Sequence, residues 1–175
     1  MLKIASDVFL EGITGKQITD FMLHPTDDRY RRWWPGTHLR FHTLVEHPDH
    51  IGDVVMMDEY VGTRRLTLTG VVTEATTGRR ITWQLRRWIT LPVRLTLELT
   101  DRDGGVSLRH IVHAGFDGAG RLLDPIFRLF FSRRFTTALD THVKTEFPLL
   151  RDSLAGNRQR TTEVSQEPPR PAPMT

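Results

Sequence analysis

The sequence predicts an α+β fold in which a seven-stranded antiparallel sheet curves around a long C-terminal helix, with two short helices after the first strand. Apolar and polar residues alternate from about residue 64 to residue 116, which is the period of half-buried strands. The period becomes helical from about residue 122 to residue 154. Short turn signals separate the strands, so successive strands are expected to pair in chain order.

The N-terminal part is predicted to form one strand, at residues 3–11, and then two short helices between residues 15 and 36. Pro25 separates these helices, because a proline cannot donate the backbone hydrogen bond of a helix interior. Thr26 is the expected N-cap of the second helix. Asp27 and Asp28 then lie in its first turn, where carboxylates interact favourably with the helix dipole.

Six further strands are predicted to follow as a meander. The first two lie at residues 36–45 and 53–61 and are joined by a polar loop. From Arg64 onward the remaining four are separated by turn signals at Thr77-Gly78, at Leu91-Pro92 and at residues 101–105. Together with the N-terminal strand, the meander gives a sheet of seven strands.

A single C-terminal helix is predicted from Leu122 to about Leu154, and Asp124-Pro125 is its expected start. A long amphipathic helix needs an apolar surface to lie on, so we expect its apolar face to pack on the inner face of the sheet. Pro148 is expected to strain the last turns, since its ring clashes with the preceding turn. The expected apolar face comprises Leu123, Phe127, Phe130, Phe131, Phe135, Ala138, Leu139, His142, Leu149 and Leu150.

The chain is predicted to form one domain over residues 1–155, followed by a disordered Pro-rich tail over residues 156–175. The segment after Gly156 contains four prolines and no aromatic residue. Such a segment cannot bury enough apolar surface to offset the entropy of ordering it. We therefore expect no contribution of the tail to the core.

Composition excludes several classes of protein. The 175 residues include no Cys, which rules out disulfides, thiolate zinc sites, iron–sulfur clusters and cysteine nucleophiles. No apolar run approaches the ~20 residues that span a bilayer, and the N-terminus has no signal-peptide core, so we expect a cytoplasmic protein without a membrane span. The net charge is only +3, and arginine pairs are scattered between acidic residues, so no nucleic-acid partner is expected.

Four histidines near the second strand raise the question of a metal site: His38, His42, His47 and His50. Four residues of strand place His38 and His42 about 13 Å apart, whereas two ligands of one zinc ion lie about 3.3 Å apart. They are therefore not expected to bind one ion. His47 and His50 lie in a polar loop with Asp49 and lack a further ligand set. The sequence thus predicts neither a metal nor any other cofactor.

Motifs for nucleophilic and nucleotide chemistry are also missing from the sequence. It contains no Gly-x-Ser-x-Gly elbow, no Walker-type lysine loop and no dinucleotide-binding fingerprint. Hydrolase, kinase and dehydrogenase functions are therefore disfavoured. An acid–base enzyme without a sequence motif stays open.

Polar residues in phase with apolar strand faces are the candidate site residues, because a buried polar group costs roughly 1–3 kcal/mol unless it has a partner. Facing a cavity, Arg87 could donate hydrogen bonds to a carboxylate or enolate oxygen, and His110 could transfer a proton near neutral pH. These two are the candidates for catalysis. The alternative is an arginine that reaches solvent and a satisfied interior histidine. The candidate ligand-binding residues are Trp33, Asp58, Tyr60, Trp83, Arg87, His110, Phe127, Phe131, Phe135 and His142.

Two segments carry a resemblance to a known superfamily. The first has the helical pattern Ile-x-x-x-x-Ile-x-x-Phe and then a Tyr-x-x-Trp-Trp-Pro-Gly turn, formed by Ile13, Ile18, Phe21, Tyr30, Trp33, Trp34, Pro35 and Gly36. The second is the segment GRLLDPIFRLFFSRRFTTALDTHVKTEFPLL at residues 120–150. The chain resembles, over residues 3–154, the START-like proteins of the SRPBCC superfamily, and its end resembles their polyketide cyclase and dehydrase branch. This resemblance implies the helix-grip fold.

The resemblance also implies a deep apolar cavity between the sheet and the C-terminal helix. The first function that it implies is binding of a hydrophobic small molecule, either a lipid or an aromatic, polyketide-like compound. The alternative is a polyketide cyclase, aromatase or dehydratase that uses acid–base residues in the same cavity. A third is a toxin–antitoxin or stress-associated helper. The expected partner is the small molecule, and the chain is expected to be a monomer or a homodimer.

Overall fold

The computed structural model describes residues 2–86, 90–116 and 131–165, with side chains described as far as residue 156. Within these residues the chain forms seven strands and three helices. The strands are β1 Leu2–Glu11, β2 His38–Val45, β3 Val54–Val61, β4 Arg64–Thr76, β5 Arg80–Arg86, β6 Thr90–Arg102 and β7 Gly105–Ala114. The helices are α1 Gly15–Leu23, α2 Asp27–Trp33 and α3 Arg133–Ser165.

The strands form one antiparallel sheet in the order β1-β7-β6-β5-β4-β3-β2. Strands β2 to β7 are therefore a meander in chain order, and β1 pairs with β7 along its whole length, from Leu2 opposite Ala114 to Glu11 opposite Gly105. The predicted α+β fold is confirmed, with its seven-stranded sheet, its two short helices after β1 and its long C-terminal helix.

The two short helices begin at capping residues. Thr14 and Gln17 form a capping box at the start of α1, and the side chain of Thr26 accepts a hydrogen bond from the backbone N–H of Arg29 at the start of α2. The predicted N-cap at Thr26 is confirmed. Helix α2 is joined to α3 by the indole of Trp33, whose Nε1 donates a 2.6 Å hydrogen bond to the main-chain oxygen of Glu146.

One predicted turn is wrong. Strand β6 begins at Thr90, so Leu91 and Pro92 lie inside the strand rather than in the turn before it. Pro92 is tolerated there because it lies close to the start of the strand, where a missing N–H interrupts little of the ladder. Its carbonyl still accepts a 2.9 Å hydrogen bond from Gly115 N.

Helix α3 extends further than the predicted helix at its C-terminal end. It begins at Arg133, and the hydroxyl of Ser132 accepts a hydrogen bond from the N–H of Phe135 in its first turn. The predicted start near residue 122 and the part up to residue 130 lie outside the described residues. The helix continues past Pro148 to Ser165, ten residues beyond the expected domain boundary at 155. Residues 157–165 contain neither Gly nor Pro, so nothing in that sequence ends the helix.

The core lies between one face of the sheet and the helices. Helix α3 buries a stripe at helical spacing, consisting of Phe135, Leu139, Val143, Phe147 and Leu150. From the sheet, Trp83 is the largest fully buried side chain. Among the described helices, none is long and apolar enough to cross a membrane.

Candidate functional site

A cavity of about 760 Å³ lies between the inner face of the sheet and the start of α3. Its wall is mainly leucine, valine and phenylalanine, and it also includes the partly buried carboxylate of Glu59 and the buried imidazole of His110. The wall comprises Met57, Glu59, Val61, Arg64, Arg65, Leu66, Thr67, Leu68, Leu85, Leu91, Val93, Leu95, His110, Val112, Phe131, Phe135 and Leu139.

The register of β3 decides which of its polar residues reach the cavity. Met57, Glu59 and Val61 line it, and side chains alternate along a strand, so Asp58 and Tyr60 lie on the opposite face. Asp58 and Tyr60, both expected at a cavity, are not among the residues of its wall, whereas their neighbour Glu59 is. The pattern could mislead because β3 is apolar on both faces, with Val and Met at successive positions.

Asp58 instead forms a buried ionic cluster on the outer face of the sheet. Its carboxylate accepts hydrogen bonds from the guanidinium groups of Arg65 at 2.8 and 2.9 Å and of Arg40 at 3.1 and 3.2 Å, and one from the hydroxyl of Thr67. The hydrogen bonds from Arg65, helped by Arg40 and Thr67, outweigh burial and lower the pKa of Asp58 to about 2. Tyr60, on the same face, is 36% exposed.

His110 lies on the inner face of β7 and on the cavity wall, as its strand phase predicts. Burial lowers the pKa of His110 below its ordinary value, although the carboxylates of Glu146 and Glu59 act in the other direction. The imidazole is therefore neutral at pH 7. A neutral imidazole has one nitrogen that can accept a proton and one that can donate a hydrogen bond.

The aromatic candidates divide between the cavity and the core. Phe131 and Phe135 line the cavity, with ring centroids 5.7 Å apart. Trp83 is fully buried in the core and is not among the wall residues. Trp33, the last residue of α2, points its indole to α3, where Nε1 donates a hydrogen bond to the main-chain oxygen of Glu146. Arg87 and Phe127 fall outside the described residues.

The remaining candidate, His142, belongs to a second group of polar side chains beside the cavity. His38 on β2, Glu59 on β3, and His142 and Glu146 on α3 each place one nitrogen or oxygen atom within 4.8 Å of the others. His38 Nε2 lies 3.3 Å from Glu146 Oε1 and 3.7 Å from Glu59 Oε2. His142 Nε2 lies 3.6 Å from Glu146 Oε2 and 3.7 Å from Glu59 Oε2. We call these four residues the His–Glu cluster.

Aromatic residues of α2 and of the following turn pack against the His–Glu cluster. The ring of Tyr30 stacks on His38 at 3.9 Å, and its hydroxyl donates a hydrogen bond to Glu59 Oε2. Trp34 lies against the ring of His142, with centroids 4.8 Å apart. The Tyr-x-x-Trp-Trp motif of the sequence thus surrounds the two histidines.

The charges of the His–Glu cluster are coupled. Burial acts to raise the pKa of Glu59, but His142, His38 and the hydroxyl of Tyr30 outweigh it and lower that pKa below its ordinary value. Burial acts to lower the pKa of His142, yet Glu59 and Glu146 raise it above its ordinary value. Each charged form is stabilised by its neighbours at a site largely removed from water.

Sequence reasoning missed three members of the cluster as functional residues, and two signals could have indicated them. His142 and Glu146 are four residues apart on one helix, so they share a face. His38 lies directly opposite Glu59 in the β2–β3 ladder, which hairpin counting could have suggested. No feature of the sequence indicated that this hairpin contacts α3. His42 contacts a different residue, since its Nδ1 lies 2.8 Å from Asp27 Oδ1.

Comparison with known proteins identifies the fold. No protein-family model and no curated protein sequence matches the chain. The solution structure of KanY protein matches with a TM-score of 0.57 and 9% identity over 88% of this chain and 97% of that one. Major latex-like protein 151 from Panax ginseng matches with a TM-score of 0.52 and 9% identity over 81% and 96%. At such identities the likeness shows the START/Bet v1-like helix-grip fold, without a particular branch.

Proposed function

We propose that this protein binds a hydrophobic small molecule, a lipid or an aromatic, polyketide-like compound, in the cavity between the sheet and α3. The cavity itself carries the proposal. Its volume of about 760 Å³ lies within the roughly 300–1,000 Å³ of small-molecule sites. Its wall has the composition of such sites, which are mostly apolar with a few polar groups that orient the ligand.

The side chains of Glu59 and His110 on the wall indicate how a ligand would be oriented. His110 presents a neutral imidazole, and Glu59 presents a carboxylate that already accepts a hydrogen bond from Tyr30. Both can accept a hydrogen bond from a ligand hydroxyl. The proposed ligand is therefore an apolar body with a hydroxyl or phenol group at one end.

The test fills the cavity and measures binding of an environment-sensitive naphthalene fluorophore. Leu68 lies on the cavity wall, so Leu68→Trp is expected to weaken probe binding at least tenfold by occupying the ligand's space. Leu44→Trp is the matched control, because Leu44 is exposed on β2 and is not part of the wall. Equal probe affinity in the two variants, both folded by circular dichroism, would exclude the cavity as the binding site.

A second candidate function is acid–base catalysis on a polyketide-like substrate in the same cavity, as a cyclase, aromatase or dehydratase. The position of His110 favours it, since a buried neutral imidazole on the wall could accept a proton from a bound poly-ketone. The test incubates the protein with a poly-β-ketone analogue and follows aromatic product by absorbance. If His110 is catalytic, the variant His110→Gln should lose turnover but still bind the analogue. Equal product formation with and without protein leaves binding as the function.

A further inference from the structure

The geometry points to a binding site for one divalent transition-metal ion, of the zinc type, in the His–Glu cluster formed by His38, Glu59, His142 and Glu146. This inference goes beyond ligand binding in the cavity and does not depend on it. It rests on the spacing of the four side chains, on their burial and on their chemistry.

The spacing is that of ligands around an ion rather than of hydrogen-bonded partners. Hydrogen bonds between an imidazole nitrogen and a carboxylate oxygen are about 2.7–2.9 Å long. The four nitrogen–oxygen distances in the cluster are 3.3, 3.6, 3.7 and 3.7 Å. Two neighbouring ligands of a tetrahedral ion, each bound at 2.0–2.1 Å, lie about 3.3 Å apart. All four atoms lie within 4.8 Å of one another, so side-chain movements of about 1 Å would bring them to the ~3.3 Å separation of ligands on one ion.

The histidines of the cluster are buried and point polar atoms into it. The side chain of His38 is 0% exposed and that of His142 is 4% exposed. Both ring nitrogens of His38 and the Nε2 of His142 have no hydrogen-bond partner among the described residues. Buried polar atoms without a partner are uncommon and costly. A bound ion would accept the lone pairs of these Nε2 atoms.

The donor set selects the type of ion. Imidazole ligands favour zinc and its neighbours in the first transition row, whereas magnesium and calcium prefer oxygen ligands alone. Two neutral imidazoles and two carboxylates carry a charge of −2, so a divalent ion makes the buried group neutral overall. Four protein ligands are also the number found in structural zinc sites. The proposed ion would therefore join the β2–β3 hairpin to α3.

Residues around the two glutamates supply part of the supporting shell of a metal site. Carboxylate ligands of metals are usually held by a second hydrogen bond, and Tyr30 supplies one to Glu59. Trp33 binds the main-chain oxygen of Glu146 and so fixes the helical turn that carries this ligand. Loss of such outer contacts typically lowers metal affinity 10- to 100-fold. Variants of Tyr30 or Trp33 are therefore expected to lower metal affinity without removing a ligand.

The test measures zinc binding to the full, untagged chain after treatment with EDTA and removal of the chelator. We expect one zinc ion per chain by elemental analysis, and a rise in Tm when zinc but not magnesium is added. His142→Gln and Glu146→Gln are expected to weaken zinc binding at least about 100-fold, and Tyr30→Phe about 10-fold, measured by competition with a chromophoric chelator. The double variant His47→Gln/His50→Gln is the matched control, because these histidines contact Asp53 elsewhere and should not affect binding.

Cobalt substitution keeps the proposal testable when a variant fails to fold. Wild-type protein loaded with Co²⁺ is expected to show the strong visible absorption of four-coordinate cobalt. Less than one equivalent of tightly bound zinc in the wild type would overturn the inference, as would a Co²⁺ spectrum of the hydrated ion. Loss of zinc from the His47/His50 variant with retention in folded His142→Gln would also overturn it. Fluorophore binding in the cavity is measured separately, so either proposal can fail without the other.

Discussion

Replacing Asp58 by Asn tests the buried ionic cluster on the outer face of the sheet. The carboxylate is held between Arg65 and Arg40, and its side chain is fully buried beneath them. The Asn side chain has nearly the same shape but no charge. The variant therefore removes the charge-assisted part of these hydrogen bonds without changing the number of heavy atoms in the side chain.

The size of the effect follows from the pKa of Asp58, which is lowered from 3.8 to about 2 in the folded protein. This difference corresponds to about 2 kcal/mol of folding free energy at pH 7. Because the folded pKa lies below the unfolded one, the contribution is fully present above the unfolded value. It is lost as the pH falls through the folded value. The free energy of unfolding of the wild type should thus decline between about pH 5 and pH 2 more steeply than that of Asp58→Asn.

Urea unfolding at a series of pH values from 7 to 3 measures this difference. Asp7→Asn is the matched control: Asp7 pairs with Arg109 at the surface, where both side chains are more than half exposed, and such pairs contribute at most about 1 kcal/mol. Equal stability of Asp58→Asn and wild type at pH 7 would refute the reasoning. A stability difference that stayed constant down to pH 3 would refute it as well.

Three further predictions concern the cavity wall, the core and the tail. His110→Leu should change the free energy of unfolding by less than about 1 kcal/mol. It should weaken binding of a phenolic probe several-fold, since one hydrogen bond contributes about 0.5–1.5 kcal/mol. Unchanged probe affinity with a large loss of stability would make His110 purely structural. Phe147→Ala should cost 3–5 kcal/mol in urea unfolding, because Phe147 is 1% exposed in the core; a loss below 1 kcal/mol would contradict that packing. Deleting residues 166–175 should leave Tm unchanged by calorimetry, because their sequence has no apolar face; a drop of several degrees would contradict this.

Local sequence features predicted most of the architecture. The alternation of apolar residues predicted β4 to β7, and Pro25 with Thr26 predicted the break and cap between α1 and α2. These features are set by interactions within a few residues, so they can be recognised without the fold. Pro92 misled the turn prediction, because the start of a strand tolerates a proline as well as a turn does.

The face of each strand was harder to predict where both faces are apolar. On β7 the alternation is clear, and His110 lies on the cavity wall together with Val112, which shares its phase. On β3 valine and methionine occupy successive positions, so the pattern was equally compatible with Asp58 or Glu59 facing inward. Only the packing of the sheet against α3 decides that Glu59 faces the cavity.

Periodicity within each segment was sufficient to predict a seven-stranded sheet with a long C-terminal helix. The His–Glu cluster forms only when the chain folds, because its members come from β2, β3 and α3, and His38 and Glu146 lie more than one hundred residues apart in the chain. Periodicity reports which face of an element is apolar, but not which elements meet. The contact between the β2–β3 hairpin and α3 arises from burial of the whole apolar core, and it brings two histidines and two glutamates together within 4.8 Å.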